Sequence, residues 1–178
     1  MARIAVLGAG ICGLAAALKL RPDGHDVIVL ERDPAPVPDS LEAAWERWER
    51  SGVVQFRQAH YLQPLGRAVL DEELPDVRDA LLEAGAVRFD PLTMMPPSIT
   101  DRSPRPGDER FGTITARRPT LEYVFARVAE EEVDVRRGVA VEHLLGGPRV
   151  TGVRTASGED YRADLVVNAI NQHSHIPQ

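Results

Sequence analysis

The sequence predicts an α/β fold built on a mainly parallel sheet, with a small antiparallel β element added. Three observations carry the prediction. Arg3-Ile4-Ala5-Val6-Leu7, Val27-Ile28-Val29-Leu30 and Leu165-Val166-Val167 are short, continuous apolar runs. Such runs read as strands buried on both faces, and in a parallel sheet helices normally supply the cover. The first two flank a helical stretch, which makes strand–helix–strand within about thirty residues, the size of a βαβ unit. The three runs are therefore expected to be neighbours in one sheet.

The first run stops at Gly8. Residues 11–20 are apolar or small good helix formers, and Pro22-Asp23-Gly24 ends them. The second run stops at Glu31. Residues 33–39 hold Pro34, Pro36 and Pro38, so they form an extended connector. Asp39, with Glu42 three places on, is placed to cap a following helix. Leu41, Ala44, Trp45 and Trp48 share a face of that helix, and Gly52 ends it. Pro64 opens another helical pattern with Leu65, Val69, Leu70 and Leu74. Pro75 interrupts it, and Val77, Leu81 and Leu82 continue to Gly85, a fitting C′ glycine. Residues 90–112 carry five prolines and read as a long loop, a kind more often functional than idle. Pro119 suits the first position of a helix whose apolar face is Leu121, Val124, Phe125 and Val128. Short β patterns follow at 133–137, 139–145, 150–155 and 159–163, with a hairpin turn at Ala156-Ser157-Gly158.

Composition removes several classes of function. The chain has 178 residues, one domain by size. Its 21 basic and 27 acidic residues are spread along it, for a net charge of −6, with no basic patch for a nucleic acid. No apolar run reaches the ~18 residues of a membrane helix. The apolar stretch from Ile4 to Leu20 is broken by three glycines and does not read as a secretory signal. One cysteine excludes an internal disulfide and a cysteine-based metal site, and a cytoplasmic chain is expected.

The chemistry lies in Gly8-Ala9-Gly10-Ile11-Cys12-Gly13, which fits G-x-G-x-x-G. The motif is weak alone. Here it follows a predicted strand, opens a predicted helix, and has the acidic Glu31 at the end of the next strand. Gly8 permits the tight turn, Gly10 lets backbone approach a pyrophosphate, and Gly13 lets helix and strand pack closely. Helix N–H groups and the positive dipole end favour the phosphates. Glu31 would accept hydrogen bonds from a ribose diol. The residues thus predict a Rossmann-like dinucleotide-binding domain, and the motif leaves NAD(P) and FAD both open. Cys12, placed where helix meets sheet, reads as a buried, inert thiol.

Later residues resemble one family. Gly24-His25-Asp26-Val27-Ile28-Val29-Leu30-Glu31-Arg32 is close to the G-H-x-V-x-V-L-E-R of FAD-dependent monooxygenases of the para-hydroxybenzoate hydroxylase type. Arg118-Pro119-Thr120-Leu121 resembles that family's R-x-x-L, and Ala163-Asp164-Leu165-Val166-Val167 its A-D-L-V-V strand. Arg57-Gln58-Ala59-His60 is similar to the R-Q-x-H phrase of a subset of FAD-dependent oxidoreductases. The resemblance runs to about Val167. It implies FAD as cofactor, NAD(P)H as cosubstrate, and oxygen insertion into a small organic substrate. It also implies a cofactor-binding set of Gly8, Gly10, Gly13, Glu31, Arg32, Arg57, Gln58 and Arg118, with Arg118 along the pyrophosphate and ribityl chain. His60 reads as a structural hydrogen-bonding residue. No acid, base or nucleophile is named by it.

After Val167 the family pattern continues with an Asp or Thr and a Gly, where this chain has Ile170 and Asn171. The two asparagines of the chain both lie in residues 168–178, a tail unlike what precedes it. The expectation is an FAD-binding domain over residues 1–167, a divergent tail over 168–178, no substrate domain, and a truncated, poorly active product. A non-catalytic remnant is the remaining alternative.

Overall fold

The computed structural model describes residues 1–53 and 55–170. Strand β1 (Arg3–Leu7) leads through the glycine turn into helix α1 (Ile11–Leu20) and strand β2 (Asp26–Glu31). The proline-rich connector brings the chain to the short helix α2 (Leu41–Glu46), strand β3 (Ala59–Tyr61), and helices α3 (Pro64–Glu73) and α4 (Pro75–Glu83). Strand β4 (Val87–Phe89) precedes the long loop, which holds two single-turn 3₁₀ helices (Pro91–Met94 and Asp108–Phe111). Strand β5 (Thr113–Arg117) runs directly into helix α5 (Arg118–Glu132), then strand β6 (Asp134–Arg137). The strands β7 (Val141–Gly146), β8 (Val150–Thr155), β9 (Asp160–Arg162) and β10 (Leu165–Asn168) follow.

The main sheet is parallel throughout, in the order β10-β1-β2-β6. The three apolar runs are neighbours as expected, with Val6 opposite both Val29 and Val167. Two antiparallel sheets, β3-β5-β4 and β7-β8-β9, complete the fold. The β pattern at 133–137 does not belong to the antiparallel element. It joins the parallel sheet beside β2, placing Val135 against Val29.

The cover of the parallel sheet differs from the expectation. Ile4, Val6, Val27 and Val29 face a core made with Leu14, Ala17, Leu121, Val124 and Phe125 of helices α1 and α5. On the other face Ala5, Leu7 and Leu30 pack against Val153 and Ala163 of the β7-β8-β9 segment. A continuous apolar strand needs apolar cover on both sides, and a half-buried antiparallel sheet supplies it as well as a helix does.

Local differences have simple causes. Ser40, not Asp39, caps α2, its hydroxyl accepting from the Ala43 amide at 3.1 Å. Pro119 sits one place further into α5 than expected, because Arg118 already has helical geometry. The sequence pattern announces none of β3, β4 and β5. None carries a continuous apolar run, and each is defined by pairing, with β3 and β4 flanking β5. Cys12 is exposed rather than buried, because Leu14, Ala17 and Leu18 form the buried stripe of α1 and Cys12 lies off it.

Candidate functional site: a pocket over the glycine turn

The pocket of interest begins at the C-terminal ends of β1 and β2, where a doubly wound sheet places its ligands. Gly8, at φ +98°, makes the turn in a backbone conformation that side chains disfavour. A Cβ on Gly13 would sit 2.0 Å from the Gly8 carbonyl oxygen, so the absence of a side chain there lets α1 press onto the turn. A Cβ on Gly10 would meet nothing within 4 Å. The space over Gly10 is therefore open, at the N-terminus of a helix that no side chain caps. That is a cradle for phosphate, with amide donors and the dipole end facing the gap.

Glu31 is fixed beside it. Its Oε2 accepts from the Ala9 amide at 2.7 Å and its Oε1 from the Asp33 amide at 2.8 Å. Arg50 approaches from behind, donating through Nη2 to Glu31 Oε2 and to the Ala9 carbonyl, each at 3.1 Å. Its Nε lies 3.4 Å from Asp33 Oδ2. The carboxylate of Glu31 is thus held in one orientation, with lone pairs to spare on Oε1 for a hydroxyl partner.

The cavity so formed measures about 300 Å³. That is near the lower end of the ~300–1,000 Å³ usual for small-molecule sites, room for part of a dinucleotide. Gly8, Gly10, Glu31, Arg32 and Arg118 all border it. So do Ala169 and Ile170, which the Leu7 carbonyl and the Asn168 side chain hold at the end of β10. Asn171, where the family pattern has glycine, lies outside the described residues.

Arg118 enters from the first turn of α5. Its Nε and Nη2 approach Glu122 Oε1 at 2.8 and 2.6 Å, and its Nη1 is 3.1 Å from His60 Nε2. A guanidinium offers only donors, so His60 takes this contact as the neutral acceptor. Partial burial, reinforced by Arg118, holds the imidazole below its ordinary value of 6.5, with Glu122 opposing.

Two residues of the expected set lie elsewhere. Arg57 does not border the cavity; it donates to the carbonyls of Ala44 and Trp48 at 3.2 and 2.8 Å, closing the end of α2. Gln58 meets the site only through its backbone, its carbonyl accepting from the Arg118 amide at 3.0 Å. Gly13 acts by packing, beneath the cavity wall. Arg50, Asp33 and Glu122 were missed. Arg50 stands in a charge-rich stretch that reads as solvated surface. Glu122 carried a usable signal, its i,i+4 spacing from Arg118 on the face that also holds Phe125 and Ala129.

The family model described as FAD binding domain matches residues 3–175. The chain belongs to this family. Among curated relatives, the chloroplastic zeaxanthin epoxidase of Solanum lycopersicum is 27% identical over 175 residues, 94% of this chain and 24% of that protein. The enzyme of the same description from Oryza sativa subsp. japonica is 26% identical over the same shares. Among solved structures, CtdE in complex with FAD and a substrate superposes with a TM-score of 0.65 at 21% identity, covering 98% of this chain and 39% of that one. A 2-methyl-3-hydroxypyridine-5-carboxylic acid oxygenase gives 0.65 at 20% identity, covering 98% and 40%. The chain therefore spans about a quarter of the curated relatives and two fifths of these solved chains.

FAD is the cofactor of the FAD binding domain family, and the residues present fit it. The open space over Gly10, the uncapped helix and the fixed carboxylate of Glu31 answer a pyrophosphate and a ribose in turn. Among the described residues no helix is long and apolar enough to cross a membrane, and no cluster of side chains could hold a metal ion.

Proposed function

We propose that this chain is the FAD-holding part of a flavin-dependent oxidoreductase of the monooxygenase type. The observation that carries the reading is the joining of the glycine turn, Glu31 and Arg118 around one cavity in a chain of the FAD binding domain family. Glu31 would hold the adenosine ribose, the amides after Gly10 would hold the pyrophosphate, and Arg118 would supply positive charge toward the ribityl side. Arg32, exposed at the cavity rim, adds a cation there. When bound, FAD supplies the redox chemistry, taking reducing equivalents from NAD(P)H and using O₂ to oxygenate an organic molecule. The chain's part is to bind and orient.

The similarity to a zeaxanthin epoxidase and to a 2-methyl-3-hydroxypyridine-5-carboxylic acid oxygenase supports an organic substrate. The lone thiol of Cys12 agrees with a reducing compartment such as the cytoplasm. Purification followed by an absorption spectrum and an FAD titration tests the assignment. Saturable binding at one site per chain is expected, and preference for NAD(H) over FAD would replace this reading with that of a nicotinamide-nucleotide domain.

A further inference from the structure

Glu122 breaks a local rule. It lies on α5 between Leu121 and Tyr123, and its side chain is 0% exposed. A carboxylate in such a place is costly unless paired. Arg118 breaks another, since it puts a cation at the first turn of a helix, where the dipole favours an anion. The two exceptions answer each other. Arg118 directs two nitrogens onto Glu122 Oε1. On the other side, Arg50 Nη1 stands 3.7 Å from Glu122 Oε2, and its own side chain is 3% exposed. Neither Glu122 Oε2 nor Arg50 Nη1 has a hydrogen-bond partner among the described residues. One buried carboxylate thus stands between Arg50 and Arg118, two of the arginines that border the cavity.

We infer that Glu122 is a positioning residue of the cofactor site, holding Arg118 and Arg50 at the cavity wall from behind. This rests on the FAD reading above. Glu122 touches no part of the cavity itself. Through Arg50 it reaches Glu31 at the ribose end, and through Arg118 it reaches the opposite end. Without it, His60 is the one side-chain partner left to Arg118 among the described residues. A guanidinium so released loses its direction, and a preset fork binds more tightly than a wandering one.

The test is a double-mutant cycle on the full 178-residue chain, read by FAD affinity through flavin fluorescence and by melting temperature without ligand. Glu122→Gln keeps the shape and removes the charge. It is expected to raise the Kd for FAD about tenfold, the scale of one charge-assisted hydrogen bond. In an Arg118→Ala background the same change should alter the Kd by only about threefold, because Arg50 is then the one group left for it to position. A full tenfold effect in both backgrounds, or no effect in either, overturns the inference. Tighter FAD binding in Glu122→Gln also overturns it, by showing that the carboxylate only opposes the phosphates. If Glu122→Gln does not fold, Arg118→Lys decides. It retains charge but not the two-nitrogen grip, so the same tenfold loss is expected, and unchanged affinity contradicts the proposal. Gly10→Val serves as reference. If it abolishes binding while Glu122→Gln and Arg118→Lys do nothing, this inference alone fails. If the unaltered chain does not bind FAD, the site reading fails with it.

Discussion

The carboxylate of Glu31 accepts a 2.7 Å hydrogen bond from the amide of Ala9, so the end of the second strand is tied to the turn that follows the first. The proposed ribose acceptor and phosphate cradle are therefore tied into one unit, set by β1 and β2 lying side by side in the sheet. Glu31→Gln should show this. It keeps the shape but weakens both the Ala9 link and the Arg50 pair. FAD affinity is expected to fall about tenfold. Melting temperature should fall too, because Arg50 loses its nearest counter-charge. An unaltered melting curve would mean that the Arg50–Glu31 pair contributes nothing to stability.

The two helix-side glycines of the turn should fail in different ways. Gly13→Ala forces a methyl into the Gly8 carbonyl, and overpacking of this kind costs about 3 kcal/mol. Gly10→Val points into open space, so it should leave stability nearly unchanged while blocking the pyrophosphate. Chemical denaturation and FAD titration of both variants separate the two effects. Equal loss of stability in both would contradict the assigned roles.

Arg57→Ala is expected to cost about 1–2 kcal/mol of stability, through the two carbonyls it leaves at the end of α2. FAD affinity of the folded variant should stay within about twofold, the scale of effects a site without direct contact shows. A large loss of affinity would return Arg57 to the cofactor, as the R-Q-x-H resemblance implied.

His60 gives the fold a pH dependence of definite sign. Its native pKa lies below the ordinary 6.5, first through burial and then through Arg118. Below that ordinary value the unfolded chain takes up a proton that the folded chain resists, so stability falls as the solution is acidified from about pH 6.5 toward the native pKa. Above it the contribution is complete. Urea titrations across this window should show the slope, and His60→Gln should flatten it. A slope unchanged by the substitution would place its origin in other groups.

The parallel sheet was legible because its physics is local. Ile4, Val6 and Val29 each sit in a run that reads as a strand buried on both faces, and they are buried, whereas the edge run at Leu165 is half exposed. The glycine turn was legible for the same reason, since Gly8, Gly13 and Glu31 are required within a single βαβ unit. What escaped depends on distant partners. Arg50 is an ordinary charged residue until the fold brings it to Glu31 and Glu122, nineteen and seventy-two positions away. The β7-β8-β9 cover is likewise set by Val153 and Ala163 meeting Leu7 and Leu30, which no pattern within those strands announces. For Arg57 the R-Q-x-H phrase gives no sign that the fold turns its guanidinium onto the Ala44 and Trp48 carbonyls, away from the cavity.

The most direct test of the account is an FAD titration of the purified chain, followed by flavin fluorescence, with ADP and NAD⁺ as competitors and Gly10→Val as control. Binding at a single site, displaced by ADP and lost in the valine variant, is the predicted result. FAD binding that Gly10→Val leaves intact, or that ADP does not displace, would contradict the placement of the adenosine diphosphate half over Gly8 and Gly10 beside Glu31.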